Sequence, residues 1–319
     1  MSLIKVLGID LGKSSFHVIG RDHCDHPIFR KQFTRSKLLA YLQQLPPCLI
    51  AFEACSGAHW LGRKCQSYGH RVKLIPPQYV KPYVKGNKND FIDAEAISEA
   101  ATRPGMRFVA IKSEHAQTIS AIHKSRQGYV KERTACMSRI GALLLEFGMS
   151  LPKGHAVMKK LFTWLAAQSE SLPPVLMQEL VEQHEYYQSL NERIAVQDKK
   201  LAQRVADDPV AQLLKSIPGI GDMTASYCLS SIGSANEFKN GRNMAAWLGL
   251  VPAQFSTGGK PKLLGISKRG NKTLRTLFVH AARSILSRPE QTGKVFGQWL
   301  VDLRASKPFN VVCIALANK

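Results

Sequence analysis

Apolar residues in the first third of the chain fall into short runs separated by stretches of helical spacing. Ile4, Val6, Leu7 and Ile9 form a run too short for a free helix, punctuated by Gly8 and Gly12, which predicts a buried strand. Phe16-His17-Val18-Ile19 and Ile28 to Phe33 are two further extended runs on either side of a polar turn from Arg21 to Pro27, so a three-stranded meander is expected. From Ser36 to Leu45 the apolar residues at 38, 39, 42 and 45 have helical spacing, and Pro46-Pro47 stops the helix. Cys48 to Phe52 reads as a buried strand, Trp60 to Tyr68 as a helix closed by Gly69, Val72 to Ile75 as a strand stopped by Pro76-Pro77, and Phe91 to Ala101 as a helix. The predicted order is β-β-β-α-β-α-β-α.

Two of these strands end on carboxylates, Asp10 and Glu53. A buried carboxylate is costly unless it is paired, hydrogen-bonded or on a metal, so Asp10 needs partners from elsewhere in the chain. The predicted order resembles the ribonuclease-H-like layout, in which the first and fourth strands lie side by side. That layout would set Asp10 and Glu53 about 5 Å apart in backbone spacing. Carboxylates that close repel each other, and a divalent cation is the usual remedy. Asp90 and Asp93, spaced i,i+3, would face one side of the last helix and complete a set of four. The alternatives are ordinary: Asp10 capping the turn before Gly12, Asp90 capping its helix, Asp93 on a solvated face. With only 23 Asp and Glu in the chain, four at element ends that one topology unites favour convergence.

Beyond residue 112 the pattern turns helical. His115 to Phe147 lacks proline and carries apolar residues at 119, 122, 130, 137, 140, 144 and 147, a long amphipathic helix. Leu180, Tyr187, Ile194 and Leu201 recur every seven residues, flanked by Leu176, Leu190 and Val205, which is a coiled-coil seam. Such a seam joins either two helices of one chain or two copies. Pro152 and Pro173-Pro174 bound a shorter helix around Trp164. With no catalytic constellation, residues 113–208 read as a spacer or oligomerisation arm between a domain at 1–112 and one at 209–319.

In the last part, Leu214 to Ala225 contains Ile217-Pro218-Gly219-Ile220-Gly221, the pattern of a helix-hairpin-helix. Gly219 and Gly221 would let backbone N–H groups at the second helix approach a phosphate, although both are also ordinary turn residues. Lys260, Lys262, Lys268, Arg269, Lys272 and Arg275 follow with no acid among them, a pattern suited to a phosphate backbone. Ser256 stands just before the Gly258-Gly259 turn, where its hydroxyl can be presented without shielding; a loop serine is more often only a turn residue.

Charge sharpens the picture. The 319 residues hold 44 Lys and Arg against 23 acids, a net +21, which points to a polyanion such as nucleic acid. No run approaches 18 apolar residues and the first residues carry no apolar signal core, so no membrane role and a cytoplasmic location are expected. The seven cysteines lack any C-x-x-C spacing, which supports neither a zinc site nor a disulfide framework. Asp10-Leu11-Gly12-Lys13-Ser14-Ser15 also resembles the first phosphate loop of sugar kinases and actin-like ATPases. That reading needs a second phosphate turn and an adenosine loop, which the sequence lacks, and leaves the +21 charge without a role.

Six segments, Gly8 to Lys13, Phe52 to Cys55, Asn89 to Ala94, Ile217 to Gly221, Ser256 to Lys260 and Ile266 to Asn271, resemble, in this order, the DEDD transposases of insertion-sequence family one-ten, its one-eleven-eleven subgroup, and the related Piv DNA invertase. The resemblance covers nearly the whole chain. It implies a RuvC-like N-terminal nuclease domain, a helical coiled coil and a mainly helical C-terminal transposase domain. It carries a Mg²⁺ or Mn²⁺ site onto Asp10, Glu53, Asp90 and Asp93, and a nucleophile onto Ser256. A structured guide RNA, donor and target DNA, and self-assembly into a dimer or tetramer are further implications. The rivals are a hydrolytic junction nuclease without a covalent intermediate and a binding protein with an inactive nuclease fold. One departure is the stop at Asn310 to Lys319, where family members run on for another helix.

Overall fold

The computed structural model describes residues 4–87, 89–168, 172–233, 235–288 and 296–319. The chain forms two compact units, one of Met1–His115 with Ile232–Ala235 and one of Ala116–Ser231 with Asn236–Lys319.

The first unit is mixed α/β and follows the expected order: β1 (Val6–Leu11), β2 (Ser15–Arg21), β3 (Pro27–Thr34), α1 (Arg35–Gln44), β4 (Leu49–Glu53), α2 (Ala58–Ser67), β5 (Arg71–Ile75), α3 (Pro77–Val80) and α4 (Asp90–Ala100). Pro77 does more than end β5: it occupies the first turn of α3, where its missing N–H costs nothing. The sheet order is β3-β2-β1-β4-β5, antiparallel from β1 to β3 and parallel from β1 through β4 to β5.

Strand periodicity of two divides this sheet into a storage face and a working face. Leu7, Ile9, Phe16, Val18, Ile50 and Phe52 point to one side and form a core with Leu38 and Leu42 of α1 and Leu61 and Cys65 of α2. The alternate residues Val6, Leu49 and Ala51 point to the other side, against Ala96, Ile97 and Ala100 of α4. By the same alternation Asp10, Glu53 and His17 belong to the α4 side. Arg21 of β2 fastens α4 there, its Nε donating to Ser98 Oγ at 2.8 Å and its Nη2 to Glu95 Oε1 at 3.3 Å.

The second unit is built around two long helices, α5 (Glu114–Leu145) and α8 (Pro174–Ala206), with α6 (His155–Lys159) and α7 (Leu161–Ala166) packed near one end. Arg133 donates to Asn191 at 2.8 Å and Arg126 to Asp198, while Cys136 reaches the Gln183 carbonyl, so the pair runs antiparallel. Leu180, Tyr187, Ile194 and Leu201 are all buried. Leu180 and Tyr187 pack with Cys136, Ile140 and Leu144 of α5. Of the two alternatives for the heptad seam, the structure shows the first: Leu180 and Tyr187 are covered by a helix of the same chain.

The remainder comprises α9 (Pro209–Lys215), α10 (Asp222–Ser231), α11 (Gly241–Leu248), a hairpin of β6 (Pro252–Thr257) and β7 (Lys260–Ile266), α12 (Lys272–Leu286), and helices Gln298–Ser306 and Phe309–Asn318. The hairpin is an element that apolar periodicity misses. Its signal is Gly258-Gly259, both at positive φ (59° and 75°), the two-residue turn that matches strand twist.

Candidate active site

The four carboxylates are positioned by strand register and by one glycine. β1 and β4 run parallel with Gly8 opposite Ala51 and Ile9 opposite Phe52, so the next step sets Asp10 beside Glu53, the last residue of β4. Gly8, two residues before Asp10, faces the same side, and a Cβ there would lie 2.3 Å from the Ala94 carbonyl and 2.7 Å from Ser98 Cβ. The missing side chain lets α4 settle directly on β1. Asp90 lies one helical turn before Ala94, about 6 Å back along the axis, and Asp10 lies a similar distance along the strand from Gly8. Close packing at Gly8 thus aims the first turn of α4 at Asp10. Asn89 caps this helix through a 2.9 Å bond from the Phe91 N–H, so Asp90 has no capping duty and remains exposed.

The electrostatics reflect this convergence. Burial raises the Asp10 carboxyl above its ordinary value, Asp90 and Asp93 raise it further, and His17 with the Leu11 N–H counteracts. Burial likewise raises Glu53, with Asp10 and Asp93 adding to it. Asp93 acts on both strand carboxylates, which ties it to the same group. Charged carboxylates that burial and neighbours penalise, all offering hard oxygen donors, are the chemistry a divalent cation fits.

His17 joins this set without having been expected. It stands directly opposite Asp10 across β1 and β2, and directly opposed residues share a face. Its Nδ1 lies 3.5 Å from Asp90 Oδ2. One donor atom from each of Asp10, His17 and Asp90 falls within 4.8 Å of the others. The His17 ring also meets Phe91 edge-on at 4.7 Å, and Arg30 of β3 covers Phe91 at 4.3 Å. The turn at Gly12, whose N–H bonds the Ser15 carbonyl at 3.0 Å, sets the register that pairs His17 with Asp10.

The second group of candidate residues divides by role. Gly219 has φ of 84°, and a Cβ there would lie 2.8 Å from Ile285 Cδ1 and 3.0 Å from the Ala281 carbonyl, so this glycine serves the turn and its seat on α12. Gly221, ahead of α10, has open space where a Cβ would be. Arg275 donates to the carbonyls of Leu248 at 2.8 Å and Arg269 at 3.1 Å, tying α12 to the end of α11. Two glycines make that junction possible: Cβ atoms would come within 2.1 Å of the Arg269 carbonyl at Gly249 and 1.8 Å of the Trp247 carbonyl at Gly270. Lys268 and Arg269 of this loop, like Lys260 and Lys262, are exposed, and Lys272 opens α12 at its positive end. Ser256 is exposed on β6 opposite Pro261, and its Oγ accepts 2.7 Å from Gln254 Nε2.

Comparison with known proteins gives this arrangement its context. Residues 7–149 match the DEDD transposase domain of IS110 type, and residues 211–297 match the transposase IS116/IS110/IS902 family. Over the full chain, 44% of residues are identical to the transposase for insertion sequence element IS1328 of Yersinia enterocolitica, across 95% of that protein. The chain belongs to the IS110/IS116/IS902 family of transposases. The transposase for insertion sequence element IS1111A of Coxiella burnetii is 38% identical over the whole chain and 88% of its own length. A more distant relative is the pilin gene-inverting protein of Moraxella lacunata, 25% identical over 92% of the chain and 90% of that protein. All four carboxylates and His17 fall in the first matched segment, and Ser256 with the basic residues falls in the second; the α8 seam lies in neither. Among the described residues, no helix of this transposase is long and apolar enough to cross a membrane.

Proposed function

We propose that this transposase is an RNA-guided recombinase that excises and inserts an element by breaking and rejoining DNA strands through a serine intermediate. The observation that supports the reading is that Asp10, His17 and Asp90 bring donor atoms within 4.8 Å of one another on the α4 side of the sheet, with Asp93 acting electrostatically on Asp10 and Glu53. These four residues, with His17 as a fifth donor, would hold Mg²⁺ or Mn²⁺ in a RuvC-like unit spanning residues 1–112. A bound ion would supply Lewis-acid polarisation of the scissile phosphate and charge for the departing oxygen.

Ser256 Oγ forms a bond to phosphorus as one bridging sugar oxygen leaves; the serine proton passes to solvent and the departing oxygen ends as a hydroxyl. The strand end is then held as a phosphoserine, so a sugar hydroxyl can rejoin it by the reverse exchange without external energy. Lys260, Lys262, Lys268, Arg269 and Lys272, with the Gly219-Ile220-Gly221 turn of a helix-hairpin-helix, would hold backbone phosphates across residues 209–319. The guide RNA is supported by family likeness alone: base pairing would read donor and target while the protein reads charge and shape.

Ser256 and the carboxylates stand on different units, more than 160 residues apart in the chain. A nucleophile and a metal acting on one phosphate must both lie within a few ångströms of it. We therefore assign composite sites, with Ser256 of one protomer serving the carboxylates of another in a dimer or tetramer. Mixing Ser256→Ala with Asp10→Ala protein under subunit exchange tests both points. Each variant alone is expected to leave DNA uncut and the mixture to recover part of the cleavage. Cleavage by either variant alone would refute its role in the chemistry, and no recovery in confirmed mixed oligomers would refute the sharing.

A further inference from the structure

The β6–β7 hairpin has a second face that the serine chemistry leaves unused. The register pairs Phe255 with Lys262 and Thr257 with Lys260, so these residues share one face, while Gln254, Ser256, Pro261 and Leu263 share the other. Every residue from Gln254 to Gly265 is exposed, Phe255 at 66% and Leu264 at 51%. A two-stranded ribbon is marginal by itself in water, and Phe255 with Leu264 leaves an apolar surface on it that a partner could cover.

We propose that the Phe255 face receives an unpaired base of the DNA strand being processed, with Phe255 stacking on the base and Lys260 and Lys262 holding the flanking phosphates. Charge selects this occupant. No Asp or Glu occurs between Glu237 and Glu290, so the segment offers only positive side chains to whatever it meets. A second copy docking by the same face about a two-fold axis would bring the lysines of one ribbon against those of the other. A nucleic-acid strand supplies both missing partners, a π-face for the phenyl ring and phosphates for the lysines. DNA is favoured over RNA because Ser256 is the next residue along β6, and this inference rests on its proposed role. A strand joined to Ser256 Oγ passes the ribbon edge, where the adjoining base can turn onto the Phe255 face.

The test uses the full chain and a labelled oligothymidylate, read by fluorescence anisotropy against the same sequence as RNA and as duplex DNA. Phe255→Ala is expected to weaken single-stranded DNA binding about tenfold while leaving its salt dependence and the duplex affinity unchanged. Phe255→Trp is expected to restore binding. Lys262→Gln is expected to lower the salt slope by about one phosphate contact. Wild-type affinity in Phe255→Ala, a loss confined to RNA, or a change only in sedimentation would overturn the proposal. Because binding is read without cleavage, a failure of the Ser256 chemistry gives a different result: the stacking signal survives while no serine adduct forms.

Discussion

Asp10 and His17 are cross-strand partners on adjacent antiparallel strands, and both face α4. That pairing places an imidazole in a group otherwise made of carboxylates, with its Nδ1 3.5 Å from Asp90. Imidazole nitrogen suits first-row transition ions better than Mg²⁺, which prefers oxygen. The wild-type protein should bind Mn²⁺ more tightly than Mg²⁺, and His17→Ala should remove most of that advantage while retaining Mg²⁺. Electron paramagnetic resonance of bound Mn²⁺ checks this directly. Nitrogen coupling that vanishes in the variant is expected; Mn²⁺ bound without such coupling would exclude His17 as a ligand.

The raised Asp10 and Glu53 carboxyls set a pH dependence for the metal-free protein. An acid whose folded pKa lies above its unfolded value binds more protons when folded, so stability falls as pH rises from the unfolded to the folded value. The loss begins near the ordinary carboxylate values of about 4 and is complete above the raised ones. Asp10→Asn should therefore melt higher than wild type at neutral pH without metal, and the two should converge in acid. Added Mn²⁺ should raise the wild-type melting temperature and leave the variant nearly unmoved. A variant that melts lower than wild type at neutral pH in the absence of metal would contradict this account.

Gly8 bears on the site without touching substrate. A Cα hydrogen of Gly8 faces the Ala94 backbone, and an added methyl would meet that carbonyl at 2.3 Å, which no rotamer change relieves. Gly8→Ala should cost about 1–3 kcal/mol by displacing α4. It should weaken Mn²⁺ binding as well, since Asp90 and Asp93 ride on that helix. Urea denaturation and a Mn²⁺ titration check the two effects, and unchanged values in both would show that α4 has room to spare.

The pairing of β1 with β4 and the approach of Asp90 to Asp10 were legible in the sequence because three signals agree: strand runs ending at Asp10 and Glu53, an i,i+3 pair at Asp90 and Asp93, and an element order that brings the strands together. His17 was not, because its role depends on strand register, which a turn sets and apolar pattern does not reveal. The seam on α8 was visible, but a heptad names no partner; only the stripe of Cys136, Ile140 and Leu144 on α5 answers it. For Arg275 the charge that suits a phosphate shows in the sequence, whereas the hydrogen bonds of its Nη1 to the Leu248 and Arg269 carbonyls show only in the structure. The hairpin carrying Ser256 escaped for a related reason: both of its faces are exposed, so no alternation of apolar and polar residues marks it.

The most direct test of the central claim is to trap protein on cleaved DNA and locate the linkage by mass spectrometry. Wild-type protein, incubated with its guide RNA, a donor–target DNA pair and Mg²⁺ and then denatured, should carry a nucleotide on Ser256. Ser256→Ala should carry none and cut nothing. Cleavage by wild type with free strand ends and no adduct at Ser256 would contradict the serine intermediate and leave a hydrolytic nuclease, in which water takes the place assigned to the hydroxyl.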